Sequence, residues 1–97
     1  MMTIDGKPLF DGAELFELKA THGFPLDFVL DRIINEEGWA IHWPGFIDAA
    51  RRNQWPDYRT LRVAKEALID AYLPRGMADA IEARFKLYVL EHPQSAF

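Results

Sequence analysis

The chain is predicted to end one helix and begin the next at Thr21-His22-Gly23-Phe24-Pro25-Leu26-Asp27. Gly23 can adopt a positive φ without steric penalty, so we expect it to end the first helix. Pro25 has the φ of a first helical residue and lacks only an N–H group that would have no partner there. Asp27 places its charge at the positive end of the helix dipole, and Phe24 is expected to pack back onto the new helix. These seven residues therefore predict a tight corner between two helices.

Apolar residues recur after that corner at positions i, i+3, i+4 and i+7, the spacing of one buried helix face. The positions are Leu26, Val29, Leu30 and Ile33, and the stripe is widened by Phe28 and Ile34. Similar stripes predict four more helices, three of which have a proline or an acidic start signal. The five helices are predicted to begin at Asp11, Pro25, Pro44, Pro56 and about Met77, and the last ends at about Glu91. The predicted fold class is all-α, a small bundle of five helices joined by short corners.

Both ends of the chain are predicted to lie outside the helices. Residues 1–10 form an extended arm in which Asp5-Gly6 is a turn signal, whereas Pro8 argues against a paired strand. We therefore expect an irregular arm rather than a hairpin. Residues 94–97 are expected to form a loose tail. A chain of 97 residues is expected to make a single helical domain.

Composition is that of a globular protein, with 49% hydrophobic and 27% charged residues. The chain has no cysteine, which excludes disulfides, thiolate metal sites and thiol nucleophiles. Its first residues do not combine a basic segment with an apolar run, so no secretory signal is predicted. No run of 18 apolar residues is present either, so no membrane-spanning helix is predicted. We expect a cytoplasmic protein that does not bind a membrane.

The net charge of −4 is distributed unevenly along the chain. Residues 1–50 carry nine acidic and three basic side chains, whereas residues 51–97 carry six acidic and eight basic ones. Six of those basic residues lie close together and form a basic stretch. They are Arg51, Arg52, Arg59, Arg62, Lys65 and Arg75. The basic stretch is a candidate surface for phosphate groups or an acidic partner. The alternative, which we favour, is an ordinary solvated helix face with internal ion pairs.

Three tryptophans flank the third predicted helix, at Trp39, Trp43 and Trp55. On the surface they would form an aromatic platform for nucleic-acid bases or for a protein partner. In the interior they would fill the core of a small bundle, which is the interpretation we favour because aromatic side chains bury the most area. Together with the basic stretch, these tryptophans are the candidate binding residues.

Catalytic and metal-binding patterns are not found in the sequence. The histidines, His22, His42 and His92, are far apart, and the only serine is Ser95 in the predicted tail. No nucleophile motif, paired-histidine motif or calcium-binding loop can be assembled from these residues. We expect no enzymatic activity, no cofactor, no metal and no small-molecule substrate.

A set of residues around the corner and downstream of it matches a family pattern. The set contains Gly12, Phe16, Leu18, Thr21, the run from Gly23 to Asp27, Ile33, Gly38, Gly45 and Phe46. Through them, residues 10–54 resemble the helical segment that follows the catalytic core of alanyl-tRNA synthetases. The resemblance implies a helical fold and a relation to tRNA. Short stand-alone proteins similar to this segment occur in tailed phages, which implies a small accessory protein of viral type.

The match is incomplete in several places. His22 stands where the family usually has an aromatic residue, and Ala20 and His42 stand where it has acids. The family's Gln-Arg pair is replaced by Asn53-Gln54, and no match continues after Trp55. The motifs that bind ATP and amino acid in the synthetases are not in this sequence, so the resemblance implies none of their chemistry.

These observations lead to one functional prediction and one alternative. We expect a non-catalytic module that binds a protein, acting as an accessory or inhibitor protein of viral type. The contact would use the acidic surface of the first two helices or the aromatic residues near the third. The alternative is a module that binds RNA, tRNA in particular, as the resemblance and the basic stretch suggest.

Overall fold

Five helices make up most of residues 3–4 and 6–93, the part of the chain that this computed structural model describes, apart from the side chains of residues 3, 4 and 75. They are α1 (Gly12–Ala20), α2 (Leu26–Leu30), α3 (Trp43–Arg52), α4 (Asp57–Asp70) and α5 (Arg75–Glu91). The helix α2 continues directly into a π-helical segment, Asp31–Glu36, which we call the π segment. The predicted all-α bundle is therefore confirmed. Residues 1, 2 and 5 of the predicted arm and the whole predicted tail, 94–97, lie outside the described residues.

The helices begin at the residues that the sequence marks as start signals. Asp11 caps α1, and its side chain accepts a hydrogen bond of 2.9 Å from the amide of Ala13. Pro25 and Pro56 occupy the cap positions of α2 and α4, so each of these helices begins one residue after its predicted start. The helix α5 begins two residues before the predicted start, because Pro74 already occupies its cap position. Each helix thus starts within two residues of its predicted start.

Two helix ends share one geometry, in which a left-handed glycine is followed by an aromatic residue. Gly23 has a φ of 70°, and the amide of Phe24 donates to the carbonyl of Leu18 at 3.1 Å. Gly38 has a φ of 72°, and the amide of Trp39 donates to the carbonyl of Ile33 at 3.0 Å. Both amides reach back six residues, so the main chain closes each helix end at the aromatic residue.

Replacement of Gly23 by any residue with a side chain is expected to destabilise the fold, because a φ of 70° strains an L-residue. We expect Gly23→Val to lower the free energy of unfolding by about 1 kcal/mol or more, and Gly23→Ala by less. A Cβ at this position would meet no atom within 4 Å, so the loss comes from the backbone alone. Denaturant unfolding checks the prediction, and equal stability of wild type and Gly23→Val would contradict it.

Three short strands connect the start of the chain to the segment before α3. They are β1 (Thr3–Ile4), β2 (Lys7–Phe10) and β3 (Ala40–Ile41). The strands β1 and β2 are antiparallel, whereas β2 and β3 are parallel. The prediction of an irregular arm is therefore wrong for these residues. Pro8 is tolerated because it pairs with β1 only, while β3 pairs with Leu9 and Phe10 further along.

The core is centred on α3, which packs most extensively against α1. Phe46 is fully buried, and its ring meets those of Phe16 and Trp43 edge-on at centroid distances of 5.6 and 5.5 Å. The two helices approach closely at Gly12 and Gly45, where a Cβ on Gly45 would lie 3.5 Å from the Cα of Gly12. The core therefore joins α1 and α3 in close contact, and α2 packs mainly against α4.

Candidate functional site

An apolar groove lies along α2 and the π segment. It has a volume of about 410 Å³, and its walls are almost entirely apolar. It is lined by Phe10, Leu18, Phe24, Phe28, Val29, Arg32, Ile33, Glu37 and Trp39. We call this feature the apolar groove. Its size falls within the range of ligand-binding clefts, about 300–1,000 Å³.

Two phenylalanines at the groove are unusually exposed for their size. Phe28 has 62% of its surface accessible to solvent, and Phe24 has 49%. Phe28 lies roughly 150° around α2 from the centre of the stripe formed by Leu26, Val29, Leu30 and Ile33, given 100° per residue. The prediction that Phe28 widens the buried stripe is therefore wrong. The helical spacing in the sequence already carried this signal.

Each of the two left-handed glycines is followed by an aromatic residue that lines the groove. Phe24 follows Gly23 at the end of α1, and Trp39 follows Gly38 at the end of the π segment. The Trp39 ring packs edge-on against Phe10 with centroids 6.3 Å apart. The predicted corner thus has a role beyond turning the chain, because it presents Phe24 to the groove rather than packing it away.

The π segment supplies Arg32 and Ile33 to the wall of the groove. The amide group of Asn35 holds this segment in place by donating to Asp31 at 2.8 Å and to the carbonyl of Ala71 at 3.1 Å. Ala71 is the residue that ends α4, so the groove wall is tied to the neighbouring helix. π-helical turns inside α-helices occur frequently at functional sites.

The groove lies on the acidic part of the protein. Residues 12–37 contain six acidic and two basic side chains, a formal charge of −4. Glu36 and Glu37 are exposed at the end of the π segment, where the helix dipole disfavours negative charge and where the last turn has no basic residue. This charge favours a basic partner beside the apolar surface.

The basic stretch is largely engaged in internal contacts. Arg51 donates to both carboxylate oxygens of Asp57 at 3.1 and 2.9 Å, and this hydrogen bonding raises the pKa of Arg51 despite opposition from burial. The guanidinium of Arg59 lies 4.0 Å from the centre of the Trp55 ring. Bidentate and stacked arginines of this kind are held in fixed orientations.

Lys65 is exposed, but its ammonium group lies 3.6 Å from the Glu82 carboxylate of α5 and forms an ion pair with it. Glu82 accepts a shorter contact of 2.8 Å from Lys86, and the two lysines lower its pKa. Arg52 and Arg62 are exposed, and the side chain of Arg75 lies outside the described atoms. The basic stretch therefore presents fewer cations to a ligand than its sequence suggests.

The three candidate tryptophans occupy three different environments. Trp43 is only 5% exposed and belongs to the core, so it does not contribute to a binding surface. Trp55 is half-buried, with its ring 5.0 Å from that of Phe16. Trp39 is half-buried and lines the groove. Of the three, Trp39 alone is placed at the apolar groove.

The histidines are separated in the fold as well as in the sequence. His42 precedes α3, and its amide donates to the carbonyl of Phe10 at 3.0 Å. His22 is exposed, and His92 packs against Tyr88 with ring centroids 4.4 Å apart. Tyr88 donates to Asp48 at 2.8 Å, and burial together with this carboxylate raises its pKa. Within residues 3–4 and 6–93, no three histidine or carboxylate side chains gather as a metal site.

Comparisons with protein-family models, curated proteins and solved structures find no match to this chain. In the part of the chain that the structure describes, no helix is long and apolar enough to cross a membrane.

Proposed function

We propose that this chain is a non-catalytic protein-binding module that holds an apolar segment of a partner in the apolar groove. The observation that carries the proposal is the exposure of Phe24 and Phe28 above an apolar concave surface. Contiguous exposed apolar surface is disfavoured in water unless something covers it, and aromatic residues dominate the binding energy of protein interfaces. Trp39 and Phe10 extend the aromatic surface across the groove.

The resemblance to the synthetase segment adds the second part of the proposal. Together with the phage proteins similar to that segment, it supports a small accessory or inhibitor protein of viral type that acts in the cytoplasm. The charge of the chain favours a protein partner over RNA. The chain carries a net charge of −4, and Arg51, Arg59 and Lys65 are engaged within the protein.

Capture from the lysate of the source cells, with and without nuclease, tests the proposal. We expect wild type to retain a specific protein after nuclease treatment, and Phe24→Ser/Phe28→Ser to reduce its recovery at least tenfold, because hot-spot side chains contribute about 2 kcal/mol or more. Tyr58→Ser is the matched control, since Tyr58 is an aromatic residue of α4, 72% exposed and outside the groove. We expect this variant to retain the protein fully.

The same capture decides between protein and RNA. Arg52→Glu/Arg62→Glu reverses two exposed cations without disturbing the stacking of Arg59 on Trp55. We expect this variant to behave like wild type. The proposal would be refuted in favour of RNA by a different pattern of protein recovery. In that pattern, nuclease treatment and the arginine variant abolish recovery, whereas the phenylalanine variant keeps it.

A further inference from the structure

We infer that the apolar groove binds an amphipathic α-helix of the partner, with lysine or arginine residues beside its apolar face. The inference rests on the proposed function and specifies the chemistry of the bound segment. Three features of the groove lead to it: the scarcity of polar groups in its walls, its length along α2, and the carboxylates at one end.

The walls of the groove favour a helix over an extended segment. An extended peptide needs hydrogen-bond partners for its own N–H and C=O groups along its whole length. The lining offers few of them, because all of its side chains except Arg32 and Glu37 are apolar or aromatic. The neighbouring strand β3 is only two residues long, too short to pair with an added strand along the groove. A helix satisfies its backbone internally and can place an apolar face against apolar walls.

The length of the groove matches a few turns of helix. Its lining extends along α2 and the π segment, from Phe28 to Glu37, the residue that follows this segment. The nine steps from Phe28 to Glu37, at about 1.5 Å each, span roughly 13 Å, or two to three helical turns. A bound helix of this length would insert apolar side chains at positions i, i+3 or i+4, and i+7.

The carboxylates at the end of the groove favour basic residues on the partner. Glu37 lines the groove, and the exposed Glu36 precedes it. Both stand at a helix end where negative charge is unfavourable to the fold, so replacement of both by lysine should stabilise the free protein. The same replacement should weaken binding of a basic helix. Opposite effects on stability and binding distinguish a binding role from a purely structural one.

Synthetic helical peptides of about 16 residues, roughly four turns, provide the test. The panel carries leucine, phenylalanine or tryptophan at i, i+4 and i+7, with flanking lysines or flanking glutamates, and one version has a central proline. Binding is followed by the NMR shifts of groove residues in the intact chain. We expect the lysine peptides to bind about tenfold more tightly than the glutamate peptides at low salt, and the proline version to lose binding.

Two charge variants complete the experiment. Glu36→Lys/Glu37→Lys should raise the melting temperature and remove the preference for lysine peptides. Asp79→Lys/Glu91→Lys is the matched control, because it makes the same change in net charge at exposed positions of α5, and it should keep that preference. A preference lost equally in both variants would overturn the inference.

The outcomes separate this inference from the proposed function. Suppose that capture of the lysate protein depends on Phe24 and Phe28, as the proposed function requires. Equal binding of the lysine and glutamate peptides would then overturn the inference alone. Undiminished binding of the proline version would do the same. Failure of every lysine peptide to bind at millimolar concentration would also overturn it. A captured protein that ignores the phenylalanine variant would refute the proposed function itself.

Discussion

Gly12→Ala is expected to destabilise the protein by more than about 3 kcal/mol, a large fraction of the stability of a small domain. A Cβ at this position would overlap the carbonyl oxygen of His42 and the amide nitrogen of Phe46. Both obstacles are backbone atoms at the start of α3, so no side-chain rotation can relieve the overlap. The helices α1 and α3 would have to separate and expose part of the core.

Gly76→Ala is the control for that substitution. Gly76 lies in the first turn of α5, and a Cβ there would meet no atom within 4 Å. Alanine is preferred over glycine in helices by up to about 1 kcal/mol, so this variant should be as stable as wild type or slightly more stable. Urea unfolding of the two variants checks the prediction. Equal stability of Gly12→Ala and wild type would mean that α1 and α3 do not cross at this point.

Phe46→Ala should lower the free energy of unfolding by about 3–5 kcal/mol, because it removes a fully buried ring and leaves a cavity. The neighbouring rings of Phe16 and Trp43 would lose their edge-on partner. Phe28→Ala removes the same atoms from a side chain that is 62% exposed, so it should change stability far less. Chemical denaturation measures both losses, and equal losses would contradict the assignment of Phe28 to the surface.

Local signals in the sequence were sufficient to predict the helices and their corners. Gly23, Pro25 and Pro56 act through their own φ angles. Their effect on the helix ends is therefore local and can be predicted without knowledge of the tertiary fold. The acidic character of the first two helices was also readable from the sequence, and the groove lies on that surface. What the sequence did not provide was the arrangement of the exposed rings around a single concavity.

Features that depend on distant residues were missed. The strand β2 pairs with β3 about thirty residues later, and pairing of this kind has no local signature. The partner of Lys65 is Glu82, which lies on another helix. Gln54 and Tyr72 have φ values of 63° and 57° although neither is glycine, so the ends of α3 and α4 carry no left-handed glycine as a signal. Tertiary contacts, rather than local preference, determine these features.

The resemblance to the synthetase segment has a physical counterpart in the packing. Gly12 and Gly45 both belong to the matching set, and they meet where α1 and α3 approach. Phe46, the next residue of the set, fills the core beside them. These three residues of the pattern are therefore explained by the close crossing of α1 and α3. The relation to the synthetases itself stays a prediction.

Photo-crosslinking from the groove tests the central claim most directly. A photoreactive phenylalanine analogue is placed at position 28 or, in a second protein, at position 58, and both proteins are irradiated in the source cells. Both positions are exposed and aromatic, but only position 28 lines the groove. We predict a discrete protein adduct from position 28 that disappears when Phe24 is also changed to serine, and no such adduct from position 58. An adduct with RNA, or a protein adduct from position 58 alone, would contradict the claim that the groove binds a protein partner.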